Sequence, residues 1–173
     1  MDKQKFKEKN ALAFAVAVVA FAWTLATMNP KVSFYIPSFI VFLTWASTFL
    51  AGGGPEGFKA SLRMNITGAL LAYAGIWLGG LFAPLGILAL PVGIFIVCLP
   101  LCWLAYYKLF EITPCGFIGA ASLFAVANTA SIGPSGVNQA LISTLIAIVL
   151  GNISGPVTEK LIGMFMSLQK ERV

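Results

Sequence analysis

Apolar runs of spanning length, parted by short breaks of glycine, proline and charge, set the pattern of the chain. The first extends from Ala11 to Met28, behind a segment carrying Lys3, Lys5, Lys7 and Lys9. Roughly 17–25 apolar residues suffice to cross a bilayer as a helix, so this run is predicted to be a span rather than a cleaved signal. A second span is predicted from about Phe34 to Ala51 and a third from about Leu62 to Phe82. The fourth, about Leu85 to Tyr107, contains Pro91 and Pro100 and is expected to kink, because proline removes a backbone donor and crowds the preceding turn. The fifth follows Thr113-Pro114 and reaches about Ala130. The sixth starts near Val137 and is expected to end at Gly151-Asn152-Ile153-Ser154-Gly155-Pro156. Past it, Val157, Leu161, Ile162, Met164, Phe165 and Leu168 are mixed with Lys160 and Lys170. That mixture fits an amphipathic helix on the membrane surface; the alternative is a sixth span continued through Pro156.

The breaks themselves repeat. Gly54-Pro55-Glu56-Gly57 is echoed 79 residues later by Gly133-Pro134-Ser135-Gly136. In the same order Pro37 pairs with Pro114, Ala46-Ser47-Thr48-Phe49 with Ala121-Ser122-Leu123-Phe124, and Gly75-x-x-x-Gly79 with Gly151-x-x-x-Gly155. A unit with an odd number of spans, duplicated in tandem, inserts its second copy upside down, a build common among transporters and channels. The expected fold is therefore all-α: a polytopic membrane bundle of six transmembrane helices in two inverted three-helix repeats. The expected divisions are a basic N-terminus at 1–10, repeats at 11–83 and 84–156, and a tail at 157–173. The plainer reading of the glycines is that they only shape tight turns between spans.

Composition agrees with the pattern. The chain is 59% hydrophobic and only 10% charged, with a mean hydropathy of +0.91. Soluble domains carry about 25% charged residues, which excludes that class. The net charge of +5 raises the question of nucleic acid, but its placement answers it. On the six-span topology Lys3, Lys5, Lys7, Lys9, Lys59, Arg63, Lys108, Lys160, Lys170 and Arg172 fall on one side, and only Lys31 on the other. By the positive-inside tendency that side is cytoplasmic and holds both termini. The expected partners are the lipid bilayer and a small-molecule solute, with no nucleic acid.

Little chemistry is available. There is no histidine, and no aspartate beyond Asp2. The Gly-Pro-Ser-Gly at 133–136 spells an intramembrane serine-protease motif, but the histidine of that dyad does not exist here. Cys98 and Cys102 share a helix face, yet such spacing is ordinary for small buried hydrophobes. No enzyme, cofactor or metal is expected. No span core holds an ionisable residue, whereas coupled carriers usually keep one at membrane depth. The function expected is a channel or uncoupled facilitator for a small neutral solute, with an anion as the next candidate. Its path would run between the repeats past Gly53, Gly54, Asn65, Asn128, Gly133, Ser135 and Asn152. The two Gly-x-x-x-Gly faces lead to the expectation of a homo-oligomer, their rival role being close packing within one bundle. The alternative function is a non-transporting membrane subunit that binds a partner protein or senses lipid.

The run Ala46-Ser47-Thr48-Phe49-Leu50-Ala51-Gly52-Gly53-Gly54, followed by Gly57-Phe58, resembles a family of small bacterial inner-membrane proteins catalogued as a domain of unknown function. The resemblance covers nearly the whole chain. It implies a bacterial inner-membrane location and supplies no activity and no site residues.

Overall fold

The computed structural model describes residues 3–128 and 136–170. Among them are seven α-helices: α1 (Lys3–Thr27), α2 (Pro30–Tyr35), α3 (Ser38–Leu50), α4 (Gly54–Leu81), α5 (Ala89–Trp103), α6 (Thr113–Ala127) and α7 (Gly136–Lys170). The chain is all-α. Four stretches are long and apolar enough to cross a membrane: Gln4–Thr27, Gly54–Leu81, Ala83–Tyr106 and Gly136–Leu168. The apolar helices α3 and α6 are shorter, at 13 and 15 residues. At ~1.5 Å per residue each covers about 20 Å, less than the ~30 Å of a hydrocarbon core.

Each break has a local cause. After α3, Gly52 (φ 97°) and Gly53 (φ 68°) take left-handed conformations closed to most side chains. The amide of Gly52 bonds Phe49 O and that of Gly53 bonds Thr48 O, both at 3.0 Å, which satisfies carbonyls at the end of α3. Gly54-Pro55 then starts α4, proline losing nothing where its amide has no helical acceptor. Between α1 and α3, Asn29 Oδ1 accepts from Lys31 N (3.0 Å) to start α2, and Pro37 precedes α3. The fourth apolar stretch bends at Gly86 (φ 59°), inside the 3-10 turns of Ala83–Leu88. Pro91 lies in the first turn of α5, where no helical hydrogen bond is lost, and Pro100 lies within the helix.

The largest departure concerns α7. It continues through Pro156 to Lys170 as one helix of 35 residues, so the helix end expected at Gly151–Pro156 is not there. The sixth apolar run extends past Pro156. One lost bond is a modest penalty where both flanking glycines are packed: Gly151 lies against Val41 and Thr44, and Gly155 against Thr48.

Helices α3, α4, α6 and α7 form the centre, with α5 laid on α4 and α1 on α7. The centre is tight because glycines let backbones touch. Gly68 of α4 abuts the Gly116 carbonyl, and Gly119 of α6 abuts the Asn65 carbonyl. The faces of Gly75–Gly79 and Gly151–Gly155 are likewise consumed inside the bundle, the first against α5 and the second against α3. These glycines pack within one copy of the chain, the rival role expected for them. An apolar cluster of Ile40, Val41, Ala69, Ala72, Leu123, Val126, Ala140, Ala147 and Ile148 draws on all four central helices.

Three contacts define one end of the bundle. Arg63 Nη1 donates to Leu109 O (2.6 Å), Gly54 N donates to Glu159 Oε1 (2.6 Å), and the Phe14 and Phe165 rings lie 6.3 Å apart. Together with a concavity lined by Gln4, Lys7, Met166 and Ser167, they gather the first half of α1, the start of α4, the segment after α5 and the later turns of α7. Lys5, Lys7, Lys9, Lys59, Arg63, Lys108 and Lys160 therefore stand toward that end, while Lys31 follows the opposite end of α1.

Candidate functional site

The polar side chains of the centre form a stripe that helical periodicity dictates. Thr44, Ser47 and Thr48 are spaced i, i+3, i+4 on α3, and Ser61 and Asn65 i, i+4 on α4, so each set shares one face. All five, with Asn152 of α7, are fully buried. Asn65 lies ~16 Å along α4 from its first residue, well inside the membrane-spanning length. A buried amide must find partners or suffer its full desolvation cost, and here the hydroxyls supply them.

The protons of this network can be followed one by one. Ser47 Oγ donates to Thr44 O at 2.7 Å. Ser47 Oγ and Ser61 Oγ are 2.6 Å apart, and with the Ser47 proton on Thr44 O the donor of that pair is Ser61. Asn65 Nδ2 donates to Ser47 Oγ (2.7 Å) and to Ser61 Oγ (3.0 Å). The Asn65 Oδ1 atom is left buried with no hydrogen-bond partner. On the neighbouring face Asn152 Nδ2 donates to Ile148 O (2.8 Å). The single Thr48 hydroxyl proton lies between Thr44 O (3.2 Å) and Asn152 Oδ1 (3.4 Å). Within this network the under-served atoms are the acceptors Asn65 Oδ1 and Asn152 Oδ1.

Of the residues expected on a path, the structure unites Asn65 and Asn152, joined through the adjacent Ser47 and Thr48 of α3. Gly53 and Gly54 sit at the α3–α4 break, away from the amides. There Glu159 Oε1 accepts the Gly54 amide, and a Cβ on Gly53 would lie 2.6 Å from the same oxygen. A carboxylate of the chain itself occupies the start of α4. Asn128 stands exposed at the end of α6 and joins neither amide. Gly133 and Ser135 lie outside the described residues.

Sequence reasoning did not single out Ser61 or Glu159. The i, i+4 spacing of Ser61 to Asn65 was the available signal for the first. Glu159 was hidden by the expectation that α7 stops before it. Three further polar atoms are buried without a partner: Trp45 Nε1, Ser122 Oγ and Thr144 Oγ1. Among the described residues no group of three or more His, Cys, Asp or Glu could hold a metal ion.

Apart from this network, a concavity of about 220 Å³ lies over α4 between α5 and α6, lined by residues such as Gly68, Cys98, Leu101 and Phe117. Its lining is apolar, as expected of a surface facing hydrocarbon.

No solved structure matches this chain. The "Uncharacterized protein YahC" of Escherichia coli (strain K12) is 28% identical over 156 residues, covering 86% of this chain and 87% of that protein. Residues 13–163 match the family described as "Protein of unknown function (DUF1097)", a span that takes in every apolar helix and both buried asparagines. The resemblance seen in the sequence is thereby borne out, and the chain belongs to the DUF1097 family.

Proposed function

We propose that this protein is a channel or uncoupled facilitator for a small neutral solute, with its path in the centre of the bundle between two inverted halves. The observation that carries the proposal is the buried network of Thr44, Ser47, Thr48, Ser61, Asn65 and Asn152, which is polar, uncharged and deep within spanning helices. A site for an ion would need a counter-charge or a ring of ligands to replace its hydration. A neutral solute needs only hydrogen bonds. An anion would draw on free amides at the helix starts at Gly54-Pro55 and Gly133-Pro134; Glu159 takes the first, and the second lies outside the described residues.

Two features support six crossings in two related halves. Each half runs long, short, long: 24, 13 and 28 residues, then 24, 15 and 33. The packing pairs also exchange as a two-fold relation would require: α4 meets α5 and α6, as α7 meets α1 and α3. The short α3 is prolonged toward the far end of the bundle by α2, which makes a broken span rather than a missing one. The concentration of basic residues at one end supports its being cytoplasmic, in a bacterial inner membrane.

The test is purified protein in sealed liposomes, with urea and glycerol uptake followed by light scattering after an osmotic step. Uptake faster than in protein-free liposomes, without any ion gradient, is expected. Transport that begins only on imposing a proton or sodium gradient would overturn the uncoupled mechanism. Absence of flux for every neutral solute would favour a non-transporting subunit.

A further inference from the structure

We propose that Asn65 Oδ1 is the docking atom for the solute, and that it selects molecules carrying N–H or O–H donors. This rests on the channel reading above. Asn65 is fully buried, and its Nδ2 lies within hydrogen-bond reach of both Ser47 Oγ and Ser61 Oγ. Reversing the amide would leave Nδ2, with its two donors, buried where no partner stands, so these contacts favour the orientation that leaves Oδ1 open. The open group is therefore an acceptor, in a place where an unpaired one is costly. Asn152 Oδ1 adds a second weakly served acceptor, since the Thr48 proton cannot satisfy it and Thr44 O together. An open acceptor recognises a donor, as carried by amides, ureas and polyols. It discriminates against equally small molecules that only accept, because such a guest leaves Asn65 Oδ1 unpaired. The solute reaches the atom when the apolar cluster around Leu123 and Ile148 opens, as that cluster packs against the same four helices.

The test pairs two probes that share an O–CH2–CH2–O unit: ethylene glycol, with two O–H donors, and its dimethyl ether 1,2-dimethoxyethane, with none. Wild type, Asn65→Leu and Asn65→Thr are purified with asparagine labelled at the side-chain carbonyl carbon, and infrared spectra are recorded with each probe. Subtracting either variant isolates the Asn65 carbonyl band. Ethylene glycol should shift that band to lower frequency and dimethoxyethane should not. In liposomes Asn65→Leu should lose the facilitated ethylene glycol flux at least tenfold. Should Asn65→Leu fail to elute as a single species, Asn65→Thr, which also lacks the carbonyl, serves for both measurements. A band shift without facilitated flux would uphold the docking atom and defeat the channel reading. Facilitated flux in wild type with no band shift, or unchanged flux in the variants, would defeat the docking atom and leave the channel reading standing.

Discussion

The closest approach in the bundle gives the sharpest test of its packing. A Cβ built on Gly68 falls on the Gly116 carbonyl, well inside van der Waals contact, and the obstacle is backbone rather than the end of a flexible side chain. Gly68→Ala therefore forces α4 and α6 apart by something on the order of 1 Å, a gap that forfeits a quarter to a half of the dispersion attraction between facing atoms. Overpacking a core typically costs about 1–3 kcal/mol, and a backbone obstacle belongs at the upper end, near 3 kcal/mol. For a chain of this size ~1 kcal/mol shifts Tm by about 2–4 °C, so a fall of roughly 6–12 °C is expected. The control is Gly163→Ala in α7, where nothing lies within 4 Å of the added carbon. Relief of glycine's helix penalty should make that variant neutral or more stable by ~0.5–1 kcal/mol. Both proteins would be melted in the same mild detergent and followed by circular dichroism. Equal melting of the two variants would refute the close crossing of α4 and α6.

Other outcomes follow from single contacts. Gly53→Ala should destabilise, since it strains a position at φ 68° and displaces Glu159; a melting temperature equal to wild type would show that Glu159 does not close this break. Glu159→Gln keeps an acceptor for the Gly54 amide but loses its charge at the start of α4, which should lower stability by about 1 kcal/mol in thermal melts. Trp23→Phe removes the 2.7 Å bond from Nε1 to Ser154 Oγ that ties α1 to α7, at about 0.5–1.5 kcal/mol; tryptophan fluorescence of the remaining residues during unfolding would register it. Leu123→Thr gives the second half the residue that the first half has at Thr48, and should raise solute flux in liposomes severalfold. Unchanged flux in a correctly folded Leu123→Thr protein would remove Leu123 from the seal.

The sequence made the apolar helices legible because their runs outlast any soluble helix face, and it made the α3–α4 break legible because three successive glycines precede a proline. It misplaced the end of α7 for a physical reason. Pro156 deletes one hydrogen bond, a local signal, whereas the contacts of Gly151 and Gly155 with α3 are 107 or more residues away in the chain and have no local trace. The bend of the fourth apolar stretch shows the converse. It falls at Gly86, which alone can take φ 59° there, and not at Pro91, which sits harmlessly in a first turn. For the candidate site, periodicity could place Asn65 on a face with Ser61 but could not say which face was inward. Asn128 looked equivalent to Asn65 by residue type alone; its exposure at a helix end separates them.

On the proposed reading of two related halves, the halves are least alike where it would matter most for a path. In the first half Thr44, Ser47, Ser61 and Asn65 complete one another's hydrogen bonds save for a single acceptor. In the second half the residue matched with Ser47 is Ser122, and it is buried without a partner, as is Thr144 of the adjoining α7. Leu123, matched with Thr48, is drawn instead into the apolar cluster. A centre polar on both faces would hold a continuous file of water, and one apolar on both would admit nothing. On the proposed channel reading, the unpaired Ser122 and Thr144 hydroxyls beside an apolar cluster would leave hydrogen-bonding capacity unspent until a solute enters. A solute that parts the cluster would then recover in hydrogen bonds some of what the lost packing costs, so the same reading favours a guest able to form hydrogen bonds over one that cannot.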